Sequence, residues 1–376
     1  MLRELESADQ GVALAAAVEP DPARAADAAR QYAIPVFATV DELLRANLRL
    51  DAACVAVPTV HHHAVASTLL DAGLDVLVEK PLAATLDEAD DLIRIAEIGH
   101  AEKGRLILQP GHLERFNPAV LAVESQLRRP MFFEAHRLSI FTPRSLDVDV
   151  VLDLMIHDLD IVLTFAQSPV REVRAVGLPI LSPKVDIANV RVEFESGCVA
   201  NFTASRVSTE RVRKLRFFEP RQYVSIDYAR QDLLVIRVDA GAGKASPADL
   251  VASLPPKVAA LLPPGIASGK IDLSKIDPAM IAQFAAMAGI DPAVVAQITS
   301  PAPSNAGLSF SKPEVTPGEP LRLEIESFLD SVRTRREPRV TTRQGRDALA
   351  LALEIQASMA AHAVRAGLKD FFAPGE

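Results

Sequence analysis

The stretch DAACVAVPTVHHHAVASTLLDAGLDVLVEKP, residues 51–81, holds two short apolar runs separated by a segment of helical length. Apolar runs of that length that do not alternate with polar residues read as strands buried on both faces. Gly73, at the end of the intervening segment, reads as a helix stop. Strand, helix and strand at this spacing make a βαβ unit, and a βαβ unit implies a parallel sheet.

The same alternation extends in both directions. Upstream, GVALAAAVEPD (residues 11–21) is an apolar run that stops at Glu19, followed by helical segments at 21–33 and 39–46. Downstream come a capped helix, TLDEADDLIRIAEIGHA, and the strand LILQPGH at 106–112. Residues 1–115 therefore read as an α/β Rossmann-type parallel sheet, in which the acid ending the second strand faces a nucleotide ribose. In such a fold a first strand and a G-x-G-x-x-G loop precede that acid by about twenty residues. Neither is found here, so the domain reads as amino-terminally truncated. Met1 is expected either to stand inside a longer protein or to begin a chain that has lost its pyrophosphate cradle.

From residue 116 the pattern changes. A helix over 148–166 is followed by strand-like segments at 170–177, 188–196, 197–207, 211–219, 221–229 and 232–239, several alternating apolar with polar. That alternation predicts an α+β domain with a mostly antiparallel, open-faced sheet. Residues 116–240 and 319–376, the latter with two amphipathic helices, are assigned to it. The Ala- and Pro-rich stretch between them, 241–318, reads as an insertion. An open sheet face predicts a homo-oligomer.

Composition narrows the class. The 376 residues carry a net charge of −9 with acids and bases mixed, which argues against a nucleic-acid or membrane-surface partner. No apolar run is long enough to span a bilayer, and the amino terminus lacks a signal-peptide core, so a cytoplasmic protein is expected. Cys54 and Cys198 sit in apolar runs and read as buried, reduced thiols.

The carboxyl ends of parallel strands are where ligands bind, which singles out Lys80, held between Glu79 and Pro81. Such a lysine can bring positive charge to a bound hydroxyl, although a solvated loop lysine has the same sequence. Asp153 and His157 in DLMIHD are four apart on a predicted helix, so that the carboxylate can orient the imidazole as a general base. The plainer alternative is a surface ion pair worth about 0.3–0.5 kcal/mol. His61, His62 and His63 do not read as a metal site, because consecutive helical side chains diverge by about 100°.

Together VAVPTVHHHAVA, VLVEKPLA, GHLERFNPA and DLMIHDLDIV resemble, in order and spacing, the signature segments of the Gfo/Idh/MocA family of NAD(P)-dependent oxidoreductases. The resemblance implies that Lys80, Asp153 and His157 are catalytic. It places Pro58, His62, Glu79 and Lys80 against the cofactor, Glu19 on the adenosine ribose and Asn117 beside the active site. It also implies oxidation of a sugar, cyclitol or sugar-nucleotide carbinol, the segments being most like those of members that oxidise the 3-hydroxyl of UDP-N-acetylglucosamine. An acid at Glu19 repels a 2′-phosphate and so favours NAD over NADP. With an acidic chain, a substrate diphosphate must be met by local cations, for which Arg115, Arg137 and Arg144 are candidates. The alternative from another class is a sensor or scaffold that binds the sugar nucleotide without turnover.

Overall fold

The computed structural model describes residues 11–101, 103–124, 126–142, 148–238 and 308–368, the side chain of Leu308 excepted. The described residues fall into two compact units. One takes those within Met1–Pro220, Ser225–Leu233 and Pro313–Glu376, and the other those within Arg221–Val224 and Leu234–Lys312.

The first unit begins with the expected α/β alternation. Strand β1 (Ala17–Val18) is shorter than the apolar run that contains it, because its ladder exists only opposite β2 (Val36–Phe37), to which it runs parallel. Helix α1 (Pro22–Tyr32) lies between them, with Asp21 as N-cap accepting from the Arg24 N–H at 2.9 Å and proline in the first turn. Helix α2 (Val40–Arg45) is capped in the same way by Thr39. A second parallel sheet follows in the order β3 (Ala52–Val55), β4 (Asp75–Glu79), β5 (Leu108–Gly111). Its crossovers are α3 (His62–Asp71), entered through a 3-10 turn at Thr59–His61, and α4 (Leu86–Ile98), whose capping box pairs Thr85 with Glu88.

Strand β4 shows why its sequence does not alternate: both faces are covered. Val76 and Val78 pack with Leu69 and Leu70 of α3 and Leu92 of α4. Leu77, on the opposite face, packs with Ile107 and with Phe328 of α7 (Pro320–Thr334). Burying a phenylalanine in this way contributes about 1.5–3 kcal/mol. The carboxyl-terminal segment assigned to the second domain thus also covers the first, and α8 (Thr342–Arg365) adds Leu349 to the core beneath α3 and α4. Cys54, expected to be buried, is exposed, while Cys198 is buried as expected. The α7 face covers Ala52 and Leu77 but leaves Cys54 outside that core.

The antiparallel part comprises β6 (Phe132–Leu138), α6 (Ile156–Ala166), β7 (Val170–Leu178), β8 (Ile187–Phe194), β9 (Val199–Ser205) and β10 (Val212–Glu219). Its strand order is β10-β6-β9-β8-β7, with β6 and β9 as the one parallel pair in that run. Helix α5 (Pro118–Glu124) precedes β6, and α8 packs against β7 and α6. Strand β6 was not anticipated from the sequence. Its inward set is Phe133, Ala135 and Arg137, and a buried arginine breaks the apolar alternation that betrays a half-buried strand.

Strands β11 (Gln222–Asp227) and β12 (Asp232–Val238) contribute residues to both units. Within the second unit, β12 pairs antiparallel with β13 (Leu308–Ser311), Val235 opposite Ser311 and Val238 opposite Leu308. Apart from β13 and the residues just after it, the 241–318 segment expected to be an insertion lies outside the described residues.

Helix α8 approaches β5 closely at Gly345, where an added Cβ would stand 2.5 Å from Pro110 Cγ and 2.7 Å from Pro110 Cβ. In an open helix, Gly→Ala gains about 1 kcal/mol. Here overpacking reverses the sign, and Gly345→Ala is expected to cost about 1–3 kcal/mol. Urea denaturation of the two proteins measures this, and a stabilised variant would show that the approach is not tight.

Candidate active site

Lys80 follows the last residue of β4, and the peptide joining it to Pro81 is cis. Its Nζ donates to the carbonyl oxygens of Asp153 at 2.7 Å and Leu152 at 3.3 Å, and stands 3.8 Å from Asp153 Oδ1. Those carbonyls are available because Val151–Met155 forms a π turn instead of an α turn, with Ile156 N–H donating to Val151 O. Such widened turns, rare in helices at large, are frequent at functional sites. The turn is capped by Asp149, whose Oδ1 accepts from the N–H groups of Val151 and Leu152 at 2.9 and 3.0 Å. Gln356 of α8 donates to the other Asp149 oxygen at 2.5 Å.

The π turn corrects the expected helix geometry. The turn carries an extra residue, and among the described residues no hydrogen bond or ion pair joins Asp153 and His157. The Asp153 carboxylate instead faces Lys80 and Arg206, the latter at 3.9 Å. Arg206, buried on the stretch after β9, also donates to Val148 O at 2.8 Å and lies 3.8 Å from the buried carboxylate of Asp186.

His157 opens α6 and is buried, and its Nδ1 has no hydrogen-bond partner among the described residues. Burial, followed by the nearby charges of Lys80 and Arg137, holds its pKa well below the ordinary imidazole value. The ring is therefore neutral near pH 7, the state in which a nitrogen can accept a proton. Burial also lowers the Lys80 pKa, and Asp153 and Glu79 counter the effect.

The residues expected against a cofactor lie at the strand ends. Glu19, after β1, accepts at Oε1 from Arg24 Nη2 at 3.0 Å and from Asp21 N–H at 2.9 Å. Pro58 leads into the 3-10 turn. His62 is 1 % exposed, with Nδ1 2.7 Å from Pro81 O and Nε2 2.9 Å from Val57 O. Its ring thus ties the end of β3 to the end of β4, a bracing position. Glu79 accepts from the Lys80 N–H at 3.3 Å.

Among the residues proposed for a substrate, Arg137 is 2 % exposed. It donates to Asp158 at 2.7 and 3.1 Å and to Glu114 at 2.9 Å, over the ring of Tyr228 at 5.1 Å. Burial works against its charge, and the two carboxylates more than offset that, raising its pKa. Its place is in the core. Asn117 is likewise buried, donating to Glu114 and Tyr228 O and accepting from Ala119 N–H at the start of α5. Arg115 is buried, donating to Thr164 Oγ1 at 2.5 Å beside Asp160 at 3.4 Å. Arg144 lies outside the described residues.

Known proteins resemble this chain along both of its parts. A profile described as an oxidoreductase family with an NAD-binding Rossmann fold matches residues 1–106, and one for the GFO/IDH/MocA C-terminal domain matches residues 119–221. The chain is 38 % identical over 229 residues to a UDP-N-acetylglucosamine 3-dehydrogenase of Acidithiobacillus ferrooxidans, covering 61 % of this chain and 71 % of that protein. The chain belongs to the Gfo/Idh/MocA family of oxidoreductases. A solved structure of the 3-dehydrogenase GnnA from that organism superposes with a TM-score of 0.71 at 27 % identity, covering 96 % of this chain and 93 % of the other. An inositol 2-dehydrogenase of Acidothermus cellulolyticus is 30 % identical over 180 residues, 46 % of this chain and 52 % of that protein.

As a member of this family the chain is an NAD(P)-dependent dehydrogenase acting on CH–OH groups, with NAD as cofactor. The residues present fit that cofactor at the strand ends. Glu19 uses only Oε1 for its protein donors among the described residues, leaving Oε2 as an acceptor for ribose hydroxyls. No G-x-G-x-x-G run occurs in the sequence.

Sequence reasoning missed the groups that hold the site together. Asp158 and Asp160 are visible in HDLD, but nothing local marks Arg206, Asp149 or Tyr228, which are brought in by the sheet and by α8. It also missed Glu324 of α7, a fully buried carboxyl whose oxygens have no partner among the described residues. Burial, with Glu79 and Asp160 nearby, pushes its pKa up to about 9.

Two measurements follow from these buried charges. Removing one partner of a buried ion pair strands the other, so Asp158→Ala is expected to lose about 3–5 kcal/mol in chemical denaturation. The same loss from a surface pair such as Arg346–Asp90 would refute the distinction. Glu324 folds protonated, so stability falls as pH rises from the unfolded carboxyl pKa near 4.3 toward 9. Glu324→Gln should flatten that fall, and an unchanged pH–stability curve would exclude a buried neutral carboxyl.

Proposed function

We propose that this dehydrogenase oxidises a ring hydroxyl of a sugar nucleotide of the UDP-N-acetylglucosamine type, working in the cytoplasm. The observation that carries the reading is the meeting of Lys80, Asp153 and a neutral, buried His157 at the end of β4 and the start of α6, in a chain 38 % identical to a UDP-N-acetylglucosamine 3-dehydrogenase. A homo-oligomer formed through the open sheet face belongs to the same reading, supported by the exposed positions that alternate with buried ones along β8.

In this proposal His157 accepts the proton of the substrate hydroxyl. Its neutrality near pH 7 suits that role, and the positive charges around it favour the anionic oxygen left behind. Lys80 donates to that oxygen, its ammonium positioned by the carbonyls of the π turn. Asp153 balances the Lys80 and Arg206 charges and keeps Lys80 cationic against burial. Glu19, Pro58 and Glu79 hold NAD, with His62 bracing the two strand ends behind it. Bound NAD supplies the acceptor for the hydride. A non-catalytic sensor is not supported, because the chain belongs to an oxidoreductase family and the relatives are dehydrogenases.

The test is NADH formation by the whole chain from UDP-N-acetylglucosamine, with myo-inositol as the competing class. The nucleotide is expected to give the higher kcat/KM, while preference for the cyclitol would overturn the substrate assignment. His157→Ala and Lys80→Met should each lower kcat by about 10²–10⁴-fold. Since the base must be unprotonated and its pKa lies below 6.5, activity should persist below pH 6.5 and fall only as pH drops through that lowered value. An acid limb at or above 6.5 would take His157 out of the role.

A further inference from the structure

We propose that a cavity at the carboxyl-terminal end of α6 is a second binding site, for a small polyanion bearing phosphoryl or carboxylate groups. The cavity holds about 520 Å³, within the size range of small-molecule sites. Four arginines line it, Arg115, Arg128, Arg129 and Arg339, against Glu124 as the single carboxylate in its wall. In a chain of net charge −9 this concentration of guanidinium groups is local.

The wall is built. Arg115 is 4 % exposed, and although its Nη1 reaches Thr164 and Asp160, its Nε has no partner among the described residues. Glu124 is taken by Arg339, whose Nε also donates to Arg115 O at 3.4 Å. Arg128 and Arg129 are held through their backbones, both N–H groups donating to Glu219 Oε1 at 2.8 and 3.0 Å. Their side chains are exposed and have no ion-pair partner among the described residues. Two unpaired guanidiniums above a buried third suit a ligand with several anionic oxygens, each able to take bidentate hydrogen bonds. The carbonyl end of α6 opposes an anion, but that effect is confined to the last turn and screened by salt, and the arginines outweigh it.

The site is separate from the catalytic one. Thr164, in its wall, lies seven residues beyond His157 on α6, about 10 Å along the axis at roughly 1.5 Å per residue. Asp160 stands between the two on α6, 3.4 Å from Arg115 and 4.0 Å from the His112 ring.

Calorimetric titration of the whole chain with inorganic diphosphate, and separately with citrate, tests the proposal. Saturable binding is expected, weakened at least about tenfold in Arg128→Ala/Arg129→Ala and unchanged in Lys80→Met. Both replaced side chains are exposed and their backbone bonds survive, so the double variant keeps its fold. The tighter of the two probes identifies the anionic group. Absence of saturable binding for both probes, an unchanged affinity in the double variant, or an equal loss in the remote control Arg30→Ala/Arg45→Ala would overturn the site. Loss in Lys80→Met would overturn it too, by placing the probe at the catalytic centre.

Discussion

The site depends on one contact: the Lys80 ammonium resting on the carbonyls of Leu152 and Asp153. A lysine drawn out of water needs oxygen partners, or it surrenders its proton. A regular α-turn would commit those carbonyls to its own ladder. The π turn over Val151–Met155 releases them, so an irregularity in one helix is what permits a cation at the end of a strand about seventy residues earlier. The irregularity is in turn held by Asp149 and by Gln356 of α8. The geometry around Lys80 is therefore assembled from three distant stretches, none of which makes it alone.

Charge at the site is sorted by burial. Burial, with the nearby charges of Lys80 and Arg137, keeps the His157 imidazole neutral. Arg137 lies equally deep but is answered by Asp158 and Glu114, so it remains charged and spends that charge inside the protein. Arginines of similar appearance in the sequence thus have different fates: Arg137 became a core strut, Arg115 a cavity floor, and Arg206 a bridge between Asp153 and Asp186.

This sorting explains what was legible in the sequence. Strand β4, flanked by helix periods and stops, announces itself because both of its faces are apolar, and the parallel sheet follows. Several of strands β7 to β12 announce themselves by alternation. Strand β6 hides, because its inward arginine mimics an outward residue. Asp153 and His157 were visible as types at a spacing, but spacing is read on an assumed α-helix and cannot register a π turn. Arg206 and Asp149 carry no local signal at all, since only strand register and helix docking bring them to the site.

The carboxyl-terminal helices show how such a site is kept in place. Helix α7 seals one face of β4 with Phe328, and α8 comes so close to β5 that Gly345 admits no side chain. The same α8 packs on β7 and α6 and sends Gln356 to the Asp149 cap. A displacement of α8 would thus loosen the parallel sheet and release the π turn together, withdrawing from Lys80 the oxygens that keep it charged. For that reason the close approach at Gly345 and the ammonium contact at Lys80, which share no atom, are parts of a single constraint.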